Sequence, residues 1–144
     1  MTTYADTSVL IAWFHAADHF AKAVTPWVND NVTDFVWNPV LRAEVRHNLR
    51  MLKTSYTRTA WNALRASEKS GHLIVGRERM DHLFEAADDL SAEKASEVAA
   101  GTWDFFHVAA GMHVRAECFA TCDKLQAELA NSTKGFRVVK LFKI

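Results

Sequence analysis

Residues 103–124, WDFFHVAAGMHVRAECFATCDK, carry an acid near each end of an apolar stretch, Asp104 and Asp123. Residues 103–114 read as a helix and residues 117–121 as a strand. At about 1.5 Å per residue the helix descends about 18 Å, and at about 3.3 Å per residue the strand climbs back about 16 Å. The two acids therefore return to one edge of the sheet. In an open parallel sheet that edge, where strands finish and helices start, is where ligands bind. Asp6 closes the first apolar run, TTYAD, and reaches the same edge if that run is a strand. Three carboxylates converging on one rim call for a cation.

Working outward, Tyr4 and Ala5 lead into Asp6, and Thr7 or Ser8 is placed to cap a helix through Val9, Leu10, Trp13 and Phe14. Asp18 opens a second helical pattern through Phe20, Val24, Trp27 and Val28, with a kink or restart at Pro26. Residues 34–37 read as a short buried strand. Asn38 then Pro39 is a helix start, cap first and proline at the first helical position. On the helix of residues 39–53, Leu41, Val45, Leu49 and Leu52 form the core stripe, with Glu44 on one flank and Arg42, Arg46, Arg50 and Lys53 on the other. Six Lys or Arg stand between Leu41 and Ser67 against one acid, Glu44. A solvated helix normally alternates its charges, so the bias reflects either a polyanion or chance.

Residues 55–70 continue as a helix with Tyr56, Trp61 and Leu64 inward, closed by Gly71. Residues 72–75 form the third strand. Residues 78–100 read as alanine-rich helix, with Met80, Leu83, Phe84, Ala87 and Leu90 on one face and a break at Ser91. After the opening stretch come a short helix at residues 124–130 and a closing strand at 136–142. Short apolar strands separated by helices predict an α/β fold: one domain over residues 1–144, three layers α/β/α, with a short, mostly parallel central sheet.

Seventeen basic and seventeen acidic residues cancel, so no global field draws the chain to nucleic acid or membrane. There is no basic leader region, and the apolar run at residues 9–14 is too short to span a bilayer. A cytoplasmic protein is expected. Cys118 and Cys122 lie about 13 Å apart along a strand, beyond disulfide reach, and are expected as free thiols.

Each acid alone has a structural reading. Asp6 and Asp123 can cap the helices that follow them, Asp104 can favour its helix start through the dipole, and Glu44 can be a surface residue. Their joint placement on one rim favours a site. With YADTSVLIAWF at Asp6, LRAEV at Glu44, WDFFHVAAG at Asp104 and FATCDKLQAELA at Asp123, the sequence resembles the PIN-domain nucleases, especially the VapC-like toxins of toxin–antitoxin pairs.

The resemblance implies a PIN-like fold and a catalytic metal site of Asp6, Glu44, Asp104 and Asp123, with Ser8 and Thr121 in support. It also implies an RNA substrate and an antitoxin partner. Carboxylates without a Cys or His cluster suit Mg²⁺ or Mn²⁺. His107, one turn after Asp104, is a further supporting candidate that orients this acid, touches substrate or stacks in the core. Arg42, Arg46, Arg50 and Lys53 are candidates for holding the RNA backbone. Two departures from the family stand out: Phe105 replaces a smaller residue and is expected to narrow the cleft, and Gln126 stands near where some relatives have a further aspartate. Trp13, Phe14, Phe20 and Trp27 read mostly as core, with a share left for a homodimer or inhibitor-binding surface.

The expected activity is metal-dependent endonucleolytic cleavage of RNA. One alternative is a catalytically silent PIN-fold module that binds RNA or protein. The other is a receiver-like phospho-acceptor, which usually needs an adjacent acidic pair where Thr7 follows Asp6.

Overall fold

Five short strands lie side by side in one sheet, and every neighbouring pair is parallel. The computed structural model describes residues 1–31, 34–52, 55–76 and 78–142. Within them the chain runs β1 (Thr2–Ala5), α1 (Thr7–Phe14), α2 (Ala21–Asp30), β2 (Asp34–Trp37), α3 (Pro39–Met51), α4 (Tyr56–Ser70), β3 (Leu73–Val75), α5 (Met80–Lys94), α6 (Thr102–His113), β4 (Cys118–Thr121), α7 (Lys124–Thr133) and β5 (Arg137–Lys140). The spatial order is β3-β2-β1-β4-β5. From β1 the chain winds outward through β2 to β3, returns to β4 on the other side, and continues to β5. The switch point lies between β1 and β4, and in such sheets the crevice at the strands' carboxyl ends is the binding position. The register pairs Tyr4 with Phe119 and Ala5 with Ala120, so Asp6 and Thr121 emerge together there.

Helices α1 to α4 pack among themselves, as do α5, α6 and α7, giving the three-layer α/β/α arrangement. Local chemistry explains most boundaries. The Asn38 side chain accepts the Leu41 N–H at 2.9 Å, and Pro39 opens α3. Gly71 ends α4 at φ 84°, a conformation that glycine adopts without a Cβ clash. Leu41, Val45 and Leu49 are fully buried, as their stripe requires. Gly111 lets α6 lie against the sheet: a Cβ there would meet Phe136 Cε1 at 3.0 Å and Tyr4 Cβ at 3.3 Å.

Several expectations need correction. The cap of α1 is Asp6 rather than Thr7 or Ser8. Helix α2 begins at Ala21 and passes through Pro26. Helix α5 runs through Ser91, because serine inside a helix costs only a few tenths of a kcal/mol. Helix α7 continues to Thr133, where Ser132 and Thr133 hydroxyls bond back to the Leu129 and Ala130 carbonyls, and β5 is confined to Arg137–Lys140. Tyr56 and Phe84 are about half exposed rather than inward. Cys118 and Cys122 are free and buried. Among the described residues no helix is long and apolar enough to cross a membrane.

Candidate functional site

Asp6, Glu44, Asp104 and Asp123 line one cleft of about 150 Å³, together with Ser8, His107 and Gln126. Each acid arrives from a different segment. Asp6 leaves β1 and caps α1, Glu44 stands on α3, Asp104 is in the first turn of α6, and Asp123 follows β4 and caps α7. Capping a helix and lining the cleft are therefore compatible for Asp6, Asp104 and Asp123. A cap uses one oxygen of a carboxylate and aims the side chain at the helix start, which here is the rim of the sheet.

Asp6 is almost fully buried. Its Oδ1 accepts the Val9 N–H at 3.1 Å and the Ser8 hydroxyl at 2.5 Å, and its Oδ2 accepts the Thr121 hydroxyl. Burial pushes this carboxyl above the ordinary range, against those three hydrogen bonds. Ser8 and Thr121 thus hold an acid whose charge the fold disfavours. Asp104 Oδ2 accepts the Gly101 N–H at 3.0 Å. Burial raises its affinity for a proton, the Gly101 bond opposes the rise, and the charges of Asp123 and Glu44 add to it. Asp123 Oδ1 accepts the N–H groups of Leu125 and Gln126 at 2.8 and 3.1 Å.

Glu44 differs. Burial works to raise it, but His107, chiefly through its hydrogen bond, and the bond from Thr7 together outweigh burial and hold it below the ordinary range. His107 Nε2 and Thr7 Oγ1 reach the same oxygen, Oε1, at 2.5 and 3.1 Å. His107 therefore hydrogen-bonds Glu44 rather than Asp104. Among the described residues nothing donates to Glu44 Oε2, Asp104 Oδ1 or Asp123 Oδ2.

The donor set is all oxygen, which suits a hard divalent cation. Cys122 is no competitor, since burial and the Asp6 charge push its thiol to about 12. As placed, the acids share the cleft without closing on a point: among the described residues no three His, Cys, Asp or Glu groups form a ready metal cluster. Phe105 does not narrow this cleft. It is buried and faces a separate cavity beside Phe84, Thr102 and Ser91. Phe14 is buried, while Trp13, Phe20 and Trp27 pack partly buried against the core.

The other flank of α3 carries the arginines. Arg42, Arg46 and Arg50 line a groove of about 620 Å³ that also touches Glu68 of α4. Arg42 pairs with Glu68 at 3.1 Å, and the guanidinium groups of Arg46 and Arg50 lie 5.0 and 5.5 Å from the Trp61 ring centre. Arg65 and Lys69 line the adjoining part of the groove. Lys53 lies outside the described residues. Sequence reasoning does not mark Trp61, Arg65, Lys69 or Thr7 as site residues. A basic bias extending into residues 55–70 is the one signal for Arg65.

These features define a class. The PIN domain family model matches residues 3–132, and the chain belongs to that family, whose members are generally nucleases. Two solved structures share the fold at 14% identity. One is FitAcB from Neisseria gonorrhoeae, with a TM-score of 0.63 and all of both chains covered. The other is FitAB bound to an IR36 DNA fragment, with a TM-score of 0.65, covering 100% of this chain and 97% of that one. No curated protein matches the sequence. The strand order also sets aside the receiver-like alternative, whose sheet runs 2-1-3-4-5.

Proposed function

We propose that residues 1–144 act as one unit, a Mg²⁺- or Mn²⁺-dependent ribonuclease that serves as the toxin of a toxin–antitoxin pair in the cytoplasm. The observation that supports this reading most is the cleft itself, where four segments deliver four carboxylates and the charges of Asp123 and Glu44 act on Asp104. In this reading Asp6, Glu44, Asp104 and Asp123 hold the cation, Glu44, Asp104 and Asp123 through the oxygens Oε2, Oδ1 and Oδ2 that accept no hydrogen bond from the described residues. A cation bound there supplies an activated water and stabilises charge on the scissile phosphate. Ser8 and Thr121 keep Asp6 oriented. Arg42, Arg46, Arg50 and Lys53 carry the RNA backbone without reading its sequence. The partly buried faces of Trp13, Phe20 and Trp27 are offered to the antitoxin or to a second copy.

The test is Mn²⁺-dependent cleavage of a structured RNA pool, with and without chelator, beside an equal mass of duplex DNA. Chelator-sensitive RNA cutting that Asp104→Asn abolishes supports the proposal. Cutting of DNA alone overturns the RNA assignment. A second reading, the catalytically silent binding module, is favoured by the open arrangement of the acids. Metal-independent RNA or protein binding with no cleavage would establish it.

A further inference from the structure

The Tyr4 hydroxyl is fully enclosed in the core between β1 and its neighbours. Its ring stacks on Phe119 with centroids 5.6 Å apart, a packing that phenylalanine would make equally well. A buried hydroxyl costs stability unless it is hydrogen-bonded, and this one has two partners. Asn38 Nδ2 donates to it at 3.0 Å, and His107 Nδ1 lies 2.7 Å away. A tyrosine hydroxyl keeps its proton at neutral pH.

Hydrogen-bond polarity then assigns the histidine. The phenol oxygen accepts from Asn38, so its own hydrogen goes to Nδ1 of His107. With Nδ1 accepting, the imidazole hydrogen sits on Nε2 and is donated to Glu44 Oε1 at 2.5 Å. The other end of the chain is equally fixed: Asn38 Oδ1 accepts the Leu41 N–H as the cap of α3, the helix that carries Glu44. Donors therefore point one way from Leu41 through Asn38, Tyr4 and His107 to Glu44. The path leaves α3, crosses β1 and α6, and returns to α3. Asn38, Tyr4 and His107 are all buried, so the path meets solvent only at its Glu44 end, in the cleft.

We infer that Asn38, Tyr4 and His107 form a positioning relay that saturates Oε1 of Glu44, with Thr7, and presents Oε2 alone to a divalent cation. The inference rests on the metal site of the proposed function. None of the three touches the cation. Outer partners of this kind fix the tautomer and orientation of a ligand's neighbour, and their loss typically costs 10–100-fold in metal affinity or activity.

The test uses the full chain and two independent readouts. Long-range ¹⁵N–¹H spectra of the imidazoles report the tautomer of His107, and Mn²⁺ titration reports affinity. The wild type should carry its hydrogen on Nε2. Tyr4→Phe, which keeps the ring packing, should release that tautomer and weaken Mn²⁺ on the order of 10-fold or more, with kcat on RNA falling and KM unchanged. His107→Leu should weaken Mn²⁺ to a similar degree, while His107→Gln, whose amide N–H and carbonyl can stand in for Nε2–H and Nδ1, should recover affinity to within about threefold of wild type. A wild-type hydrogen on Nδ1 overturns the relay, as does Mn²⁺ affinity that Tyr4→Phe leaves unchanged. A chain that binds Mn²⁺ with the expected variant ranking but cuts no RNA defeats the ribonuclease reading and leaves the relay standing. A chain that binds no Mn²⁺ defeats both.

Discussion

The two flanks of α3 face different chemistry. On one side Glu44 joins a cleft whose four acids are each held by short hydrogen bonds from backbone caps, hydroxyls or an imidazole. On the other side Arg42, Arg46 and Arg50 line a groove about four times as large, held by one ion pair and two cation–ring pairs. The acidic side is built from directional bonds to buried or half-buried groups. The basic side rests on exposed charge and stacking, which water and salt weaken. Changes to the cleft should therefore act sharply on chemistry, and changes to the groove gradually on binding.

The largest expected effect is on Asp104. Asp104→Asn should reduce cleavage on the order of 100-fold or more, while the metal-free protein becomes as stable or more stable. The sign follows from its raised proton affinity: the folded state favours the protonated acid, so that contribution is present below the unfolded pKa and is lost as pH rises through the folded one. Thermal melts of both proteins should therefore converge at acid pH and separate toward neutrality, with the variant higher. A variant that melts lower throughout would make the Gly101 bond the dominant role of Asp104.

Next in size is the response to metal. At about a hundred times its dissociation constant, Mn²⁺ should stabilise the wild type by about 2.7 kcal/mol. Asp104→Asn should show a much smaller shift in the same titration. Equal shifts would place the ion elsewhere and remove the contrast between the two flanks.

The groove should respond more mildly. Arg46→Ala with Arg50→Ala should flatten the salt dependence of RNA binding by about one log–log unit for each phosphate that the double variant no longer neutralises. Metal affinity should stay unchanged. An unchanged slope, with weaker binding to an acidic partner peptide, would reassign the groove to inhibition. The smallest effect is expected from Glu68→Gln, which frees Arg42 from a solvent-exposed pair. Stability should move by no more than about 1 kcal/mol, and RNA should bind slightly tighter at low salt.

Much of this architecture is local enough to read along the chain. Asn38 and Pro39 announce α3 by capping chemistry, and Gly71 marks the end of α4. The matched lengths of α6 and β4 bring Asp104 and Asp123 to one rim. Pairings between distant segments are less legible. His107 meets Tyr4 across 103 positions and Glu44 across 63, and periodicity says only that a residue faces inward, not which polar group it meets. The spacing of Trp61 assigns it to the core, yet it is partly exposed beneath two arginines that come from another helix. Comparison with the family suggests that the bulk of Phe105 narrows the cleft, but consecutive helix residues point about 100° apart, and Phe105 faces away from Asp104. Ser91 misleads because an intrinsic preference of about a few tenths of a kcal/mol yields to the apolar face that Leu83 and Leu90 bury.

The pairing of β1 with β4 has a consequence for the order in which the chain is made. Thr3, Tyr4 and Ala5 wait for Cys118, Phe119 and Ala120 before their strand is enclosed on that side. A nascent chain of the first hundred residues holds Asp6 and Glu44 but neither Asp104 nor Asp123, and its Asp6 has no Thr121 to meet. Translation therefore delivers the four acids as two early and two late, nearly sixty residues separating Glu44 from the next, Asp104. If the chain degrades RNA as proposed, the ribosome making it is shielded from its own product until Asp123 has been added and can reach the rim.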